Sequence, residues 1–274
     1  MKNIKKGITY FVLCVWAVIQ LFPLYYLFTF SLKNNEEILG ENILGLPMSW
    51  LWENYIKVIT TSNITRYFLN SVFVTLIVII ITLIVSLMAS YGIYRMQWKF
   101  RGVLAAIFML GLTIPIHSSI LPVFLILKNA GLLNSYMALI LPYVAFGLSM
   151  GILMSSGFLS GIPKELEEAA CIDGCNVYQI FFKIITPLMK PAFATIAIFT
   201  YLSSWNELMM SSIYINSENL KTLPVGIQSI SMQLITDWGV FGAALVLSLV
   251  PTIVIYIVMS NKVQESMVVG AVKG

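Results

Sequence analysis

Charge is what this sequence has least of. Its 274 residues hold 16 Lys or Arg and 12 Asp or Glu, a charged fraction of 10%, where an ordinary soluble domain carries roughly 25%. That leaves too little polar surface to cover a soluble core of this size. Disorder is excluded by the 59% hydrophobic fraction, because disordered chains combine low hydrophobicity with high charge. One histidine, His117, and three cysteines cannot build a conventional four-ligand zinc site. Cys14 lies in an apolar run and reads as a small buried hydrophobe. No Gly-Lys dipeptide occurs, so the phosphate-binding loop and its lysine are absent and the chain is not expected to be an ATPase. A net charge of +4 is too small to point to nucleic acid. What remains is apolar sequence, with a mean hydropathy of +0.89, and the class it implies is an all-α integral membrane protein.

A helix needs about 20 apolar residues to cross a bilayer. Six such stretches are expected as transmembrane helices, at about 8–32, 67–92, 103–127, 136–158, 191–211 and 239–260. Helices are required because unpaired strand edges are not tolerated in lipid, and no short alternating segments of the barrel type are present. The first run starts with Lys2, Lys5 and Lys6 but lacks a small-residue cleavage site and contains Pro23, so it reads as an uncleaved helix. Eleven basic residues fall on the side of both termini, among them Arg95, Lys99, Arg101, Lys164 and Lys183, against five on the other, Lys33, Lys57, Arg66, Lys128 and Lys221. This bias places both termini in the cytoplasm of a multi-pass protein of the cell membrane. Cys171 and Cys175 then lie in a reducing compartment, which disfavours a disulfide between them. No internal repeat is visible, against the inverted-repeat carriers.

The loop 160–190 is too long for a simple connection. Pro163 suits the start of a helix, and Glu165, Glu167 and Glu168 suit its positive end. Gly174 ends that helix. Val177, Ile180, Phe181 and Ile184 then recur at helical spacing up to Pro187. Two short helices follow, read either as a compact helix-turn-helix knob or as a pair lying on the membrane surface. Elsewhere, Glu207 is the one ionised side chain within an apolar span, next to Trp205 and Asn206, and His117 follows Pro115 in the third. Such groups serve a neutral polyol through stacking and hydrogen bonds. Equally, Glu207 can sit at the outer interface or pair with a partner while the rings only pack.

Glu168-Ala169-Ala170, then Gly174, Ile184 and Pro187, resembles the EAA loop of permease subunits in ATP-binding-cassette importers. Thr186 departs from the Leu that the family prefers there. Glu36-Glu37-Ile38, Asn54-Tyr55, Arg66 to Ser71, Tyr201 to Glu207, Leu223 to Gly226 and the ending Gly270 to Gly274 are similar to the carbohydrate-uptake branch, and the ending to its maltose-type subunit. The resemblance implies the type I importer permease (MetI-like) fold, with the EAA helix-turn-helix in the cytoplasm. It implies a sugar as substrate and three protein partners: a cytoplasmic ATPase dimer, a second and similar permease, and an extracytoplasmic solute-binding protein. The chain itself would need no cofactor, ATP and Mg being bound by the ATPase. It further implies ATPase coupling through Glu165, Glu168, Ala169, Ala170, Asp173 and Gly174, a tail 261–274 whose Gly270, Val272, Lys273 and Gly274 reach toward the ATPase, and a substrate path at His117, Trp205, Asn206 and Glu207. The loop at about 212–237 would meet the binding protein. Two alternatives stand beside this reading: a non-sugar solute such as glycerol phosphate or a polyol, and an ATPase-independent channel or carrier, which would have no use for a cytoplasmic knob.

Overall fold

The computed structural model describes residues 2–40, 42–233 and 237–271, with side chains for 6–40, 42–230 and 237–259. Among the described residues all regular structure is helical. Four helices are long and apolar enough to cross a membrane, at Lys6–Ser31, Ile64–Tyr94, Met137–Leu159 and Trp238–Met259, and the number rises to six if each of two bent pairs counts as one span. The chain divides into two compact units, one of residues 1–66 and 226–251 and the other of 67–225 and 252–274.

In the first unit, helix α1 (Lys2–Ser31) is apolar on every face, and the side chains from Lys6 to Tyr25 are all exposed. A helix of that composition is stable only against lipid or another apolar surface. Beyond it the chain turns into α2 (Asn35–Leu39), whose N-terminus is capped by Asn34, with Glu37 N donating to Asn34 Oδ1 at 2.8 Å. Lys33 is fully buried, and its ammonium donates to the carbonyls of Asn42 and Ile43 at 2.6 and 3.0 Å. Burial pulls its pKa below the ordinary lysine value, and the nearby Glu37 carboxylate works in the other direction. Helix α3 (Glu53–Thr61) closes the end of α1, since Asn54 Nδ2 donates to the carbonyls of Ser31 and Lys33 at 2.9 and 3.1 Å. Gly239 sits where a Cβ would collide with Lys33 O and Asn54 Nδ2. A Gly239→Ala variant should therefore lose about 1–3 kcal/mol through overpacking. Gly92→Ala, where no atom lies within 4 Å, should not. Thermal unfolding of the two variants in detergent checks this, and equal midpoints would contradict it.

The second unit is built on α4 (Ile64–Tyr94) and α7 (Met137–Leu159). Thr82, Ser86 and Ser90 form a buried stripe on α4, and a Cβ added to Gly147 or Gly151 of α7 would meet Thr82 or Ser86. Small residues are what let two helices approach closely in a membrane. Between them in sequence lie α5 (Arg101–Gly111) and α6 (Ile120–Asn129). The expected third span is not one straight helix: the chain bends by 98° between α5 and α6. Pro115 offers no amide and keeps Ile114 out of helical geometry, and a 3-10 turn over Ile116–Ser119 follows.

The loop 160–190 folds as α8 (Glu165–Ile172), α9 (Val177–Ile180), a π-helical turn at Phe181–Ile185 and α10 (Thr186–Leu188). The wider turn lies just before Pro187, which has no amide for the regular ladder. After a 74° bend, α11 (Lys190–Trp205) begins with Pro191 in its first turn. The expected fifth span, 191–211, stops at Trp205, and α12 (Met209–Tyr214) restarts beyond a break at 206–208. The expected loop 212–237 carries α13 (Leu223–Gln233), and α14 (Trp238–Ala271) runs on as helix well past 260.

Candidate functional site

Three places in the second unit carry polar chemistry. The first is the knob. Gly174 has φ +82°, a left-handed conformation that turns the chain from α8 into α9 without a Cβ penalty. The next helix is sealed by a reciprocal cap in which Gln179 N donates to Asn176 Oδ1 and Asn176 N to Gln179 Oε1, both at 2.9 Å. Asn followed three residues later by Gln was legible in the sequence as this signature. Of the expected contact residues, Glu165, Glu168, Ala169, Asp173 and Gly174 are exposed. Ala170 is not: it is 6% exposed and belongs to the buried cluster in which Ile180 and Phe181 of the knob meet Leu87 of α4 and Leu159 of α7, so its small size serves that packing. Val177, assigned by spacing to the apolar face, is exposed, as are Ile172 at 87% and Tyr178 at 74%.

Sequence reasoning did not single out the attachment of this knob. Arg95, just after α4, pairs with Glu167 at 3.2 Å, with side chains only 7% and 16% exposed. Its guanidinium also donates to Leu159 O at 2.7 Å and to Ile162 O. Tyr91 donates to the other Glu167 oxygen at 3.0 Å. Removing one partner of so enclosed a pair costs about 3–5 kcal/mol, because it strands the other charge.

The second place is a cavity of about 310 Å³ among α5, α7 and α11, lined by Leu112, Phe146, Met150, Ile196, Phe199 and other apolar groups, with Tyr143, Thr200, Ser203, Ser204 and Glu207 as its polar members. Glu207 sits in the break after α11. One of its oxygens accepts from Met210 N at 2.9 Å, and the other from Ser211 N at 3.0 Å and Tyr143 OH at 2.8 Å. A carboxylate there satisfies amides that the start of α12 would otherwise leave orphaned. The other expected path residues are not gathered with it. Trp205 is 4% exposed and stacks on Tyr201 at 5.4 Å, with Phe68 edge-on at 5.8 Å. Asn206 is exposed and donates back to Leu202 O at 2.9 Å. His117 is exposed on the 3-10 turn. Of the tail residues, Gly270 lies in the last turn of α14, and Val272, Lys273 and Gly274 fall outside the described residues.

The third place is the segment from Tyr214 to Leu223, fixed to the ends of α4 and α7 that lie away from the knob. Asn70 Nδ2 donates to Asn219 O and Lys221 O, both at 2.9 Å, and Tyr136 OH donates to Asn70 Oδ1 at 2.8 Å. Leu223 N donates to Ser71 Oγ at 2.7 Å. Asn134, at φ 57°, accepts from the amides of Asn216 and Ser217 at 3.1 and 2.8 Å. Glu218 is held by the Lys221 ammonium at 2.5 Å and by Tyr67 OH, and these donors pull its carboxyl below the usual carboxylate range.

Apolar helices of spanning length, a capped helix-turn-helix at one end of the second unit and a tethered loop at the other describe a polytopic membrane protein. The family description that matches residues 83–264 is "Binding-protein-dependent transport system inner membrane component", and the chain belongs to that family. It is 36% identical, over 96% of its length and 87% of the relative's, to a Bacillus subtilis protein named "Probable ABC transporter permease protein YurM". It is 32% identical to the diacetylchitobiose uptake system permease protein NgcG of Streptomyces coelicolor, over 95% of this chain and 86% of that one. Among solved structures, a chain of a bacterial ABC transporter involved in the import of the acidic polysaccharide alginate shares the fold, with a TM-score of 0.81 at 23% identity over 94% of this chain and 96% of that one.

Proposed function

We propose that the chain is one half of the pore of an ATP-driven carbohydrate importer, with its knob facing the cytoplasm. The observation that carries this is the knob itself. In a member of this family, α8 and α9 meet at a positive-φ glycine and present Glu165, Glu168, Ala169 and Asp173 beside exposed Ile172 and Tyr178. A separate ATPase pair supplies the energy there and holds ATP and Mg, and the chain needs no cofactor of its own. Both termini then lie in the cytoplasm, by the basic bias of the loops, and the last helical turns at Gly270 run toward the ATPase. At the other end the tethered segment around Ser217 receives the solute-binding protein. A second, similar permease covers apolar faces such as that of α1.

Sugar is favoured as the solute by the diacetylchitobiose relative and by the cavity's make-up. Apolar walls suit the face of a sugar ring, and Glu207 with the hydroxyls of Thr200, Ser203 and Ser204 suits its polar edge. The path proposed from sequence thus narrows to Glu207, with Trp205 supporting α11 from behind.

The test is purification of the tagged chain from its native membrane in mild detergent, with identification of whatever travels with it. An ATPase pair and a second permease are expected. Hydrolysis in the reconstituted complex should then rise with a loaded binding protein and oligosaccharide, and not with glycerol phosphate. A chain that purifies alone and transports on its own would overturn the reading.

A further inference from the structure

The acidic run that opens α8 is split between two jobs. Glu165 and Glu168 are exposed, while Glu167 turns inward with Ala170 one turn later. The inward carboxylate meets the one arginine at the end of α4, and that arginine also closes the carbonyls of Leu159 and Ile162 at the end of α7. Leu159 O also accepts from Ile162 N at 3.0 Å, and the guanidinium adds to that turn a cation at the C-terminal end of α7, where one is favourable. Arg95 is thus a node joining three elements: the last turn of α4 through its own backbone, the end of α7 through two carbonyls, and the first turn of α8 through an ion pair. Tyr91, one turn before Arg95 on α4, holds the same carboxylate from a second direction.

We infer that Arg95, Glu167 and Tyr91 form a strut that makes the knob one rigid piece with α4 and α7, so that displacement of the knob by a partner is passed to the membrane helices rather than absorbed at the hinge 160–164. The alternative is that the apolar cluster, which packs Ala170, Ile180 and Phe181 of the knob against Leu87 of α4 and Leu159 of α7, carries the coupling alone and the polar contacts add nothing. Two features favour the strut. A guanidinium carries several donors on one plane, so Nη2 can hold the two carbonyls while Nε faces the Glu167 carboxylate. The pair is also mostly enclosed, where it is little weakened by water or salt. These are positioning residues, and their role rests on the proposed contact between the knob and an ATPase.

The experiment uses the complete importer in proteoliposomes, with spin labels at Tyr94, the last residue of α4, and at Tyr178 on the knob, which is 74% exposed. In the otherwise native complex the distance between the labels should be the same without nucleotide and with ATP trapped. In Glu167→Gln it should change on ATP binding, and solute moved per ATP hydrolysed should fall by about tenfold, within the range for residues on a coupling route. Glu167→Asp, which keeps the charge, should recover most of that ratio. If Glu167→Gln does not retain the ATPase, Arg95→Lys carries the test, since a single ammonium keeps the charge and cannot hold the carboxylate and both carbonyls at once; the same distance change and fall in the ratio are expected. A native distance that changes on ATP binding, or a Glu167→Gln importer with an unaltered solute-to-ATP ratio, overturns the strut while leaving the permease reading intact. A native chain that holds no ATPase overturns both.

Discussion

Gly174→Val is expected to abolish substrate-stimulated ATP hydrolysis while the chain still inserts and still purifies with its partners. The reason lies in the backbone. Gly174 has φ +82°, and a Cβ built there meets nothing within 4 Å, so a substitution fails through conformation and not through collision. A β-branched residue pays most in this region and asparagine least. Valine should push the chain toward negative φ, rotating α9 against α8 and disturbing the Asn176 and Gln179 cap that follows within the same turn. The local strain is on the order of 1–2 kcal/mol, too small to unfold a membrane protein of this size. It is large enough to move Glu168 and Ala169 relative to Tyr178 on the surface proposed for the ATPase. A graded series is therefore predicted: Gly174→Asn keeps most of the stimulation, Gly174→Ala loses part, and Gly174→Val falls at least tenfold, a loss on the scale expected for such coupling. Measuring basal and stimulated hydrolysis across the three variants checks it. A Gly174→Val complex with normal stimulation would remove this surface from the coupling route.

Much of this was legible in the sequence, because membrane helices and helix ends are written locally. The charge-free runs located the apolar helices at 64–94 and 137–159, and Pro163, the acidic run, Gly174 and Pro187 marked the two halves of the knob. Local signals were also present where the reading ran past them. Pro115 is a helix breaker in the middle of the third run, and the structure bends by 98° there, whereas apolar length alone suggested continuity. The apolar run 191–211 suggests one span with Glu207 inside it, and the helix ends at Trp205.

What could not be read is whatever depends on register between distant helices. Nothing local says that Ala170 faces inward while Ala169 faces out. Nor does anything local pair Arg95 with Glu167 or Tyr143 with Glu207, both across tens of residues. His117, Trp205 and Asn206 looked equivalent to Glu207 as polar or aromatic groups in apolar surroundings. Only the packing separates one that lines a cavity from one buried against Tyr201 and two that are exposed.

Glu207→Ala should give the second large effect, a loss of about 2–4 kcal/mol together with most of the transport. The carboxylate accepts three hydrogen bonds, from Tyr143 OH and from the amides of Met210 and Ser211. Met210 and Ser211 are 1% and 0% exposed, and stranded buried donors cost on the order of 1–3 kcal/mol each. Because Tyr214 follows in the same short helix and its hydroxyl donates to Ile120 O at 2.9 Å, loosening α12 should also loosen α6 and open the cavity wall. Glu207→Gln separates support from recognition. Its amide oxygen can still accept from Met210 N, while its NH₂, at the position that Ser211 N and Tyr143 OH share, can donate to a turned Tyr143 hydroxyl but faces the Ser211 amide donor to donor. Stability should fall by less than half as much as in the alanine variant. If the carboxylate acts by holding the helix break, transport by Glu207→Gln should drop by about tenfold with the order of preference among sugars kept. Tyr143→Phe removes one of the three bonds and leaves both α12 amides paired with the carboxylate, so it should cost less than Glu207→Gln and likewise keep the order of preference. The measurement is transport of several sugars in competition by the reconstituted importer, set beside the unfolding midpoint of each variant. A changed order of preference in Glu207→Gln at near-native stability would place the carboxylate in direct contact with the solute, and the three internal hydrogen bonds would then describe the resting state of a group that exchanges partners during transport.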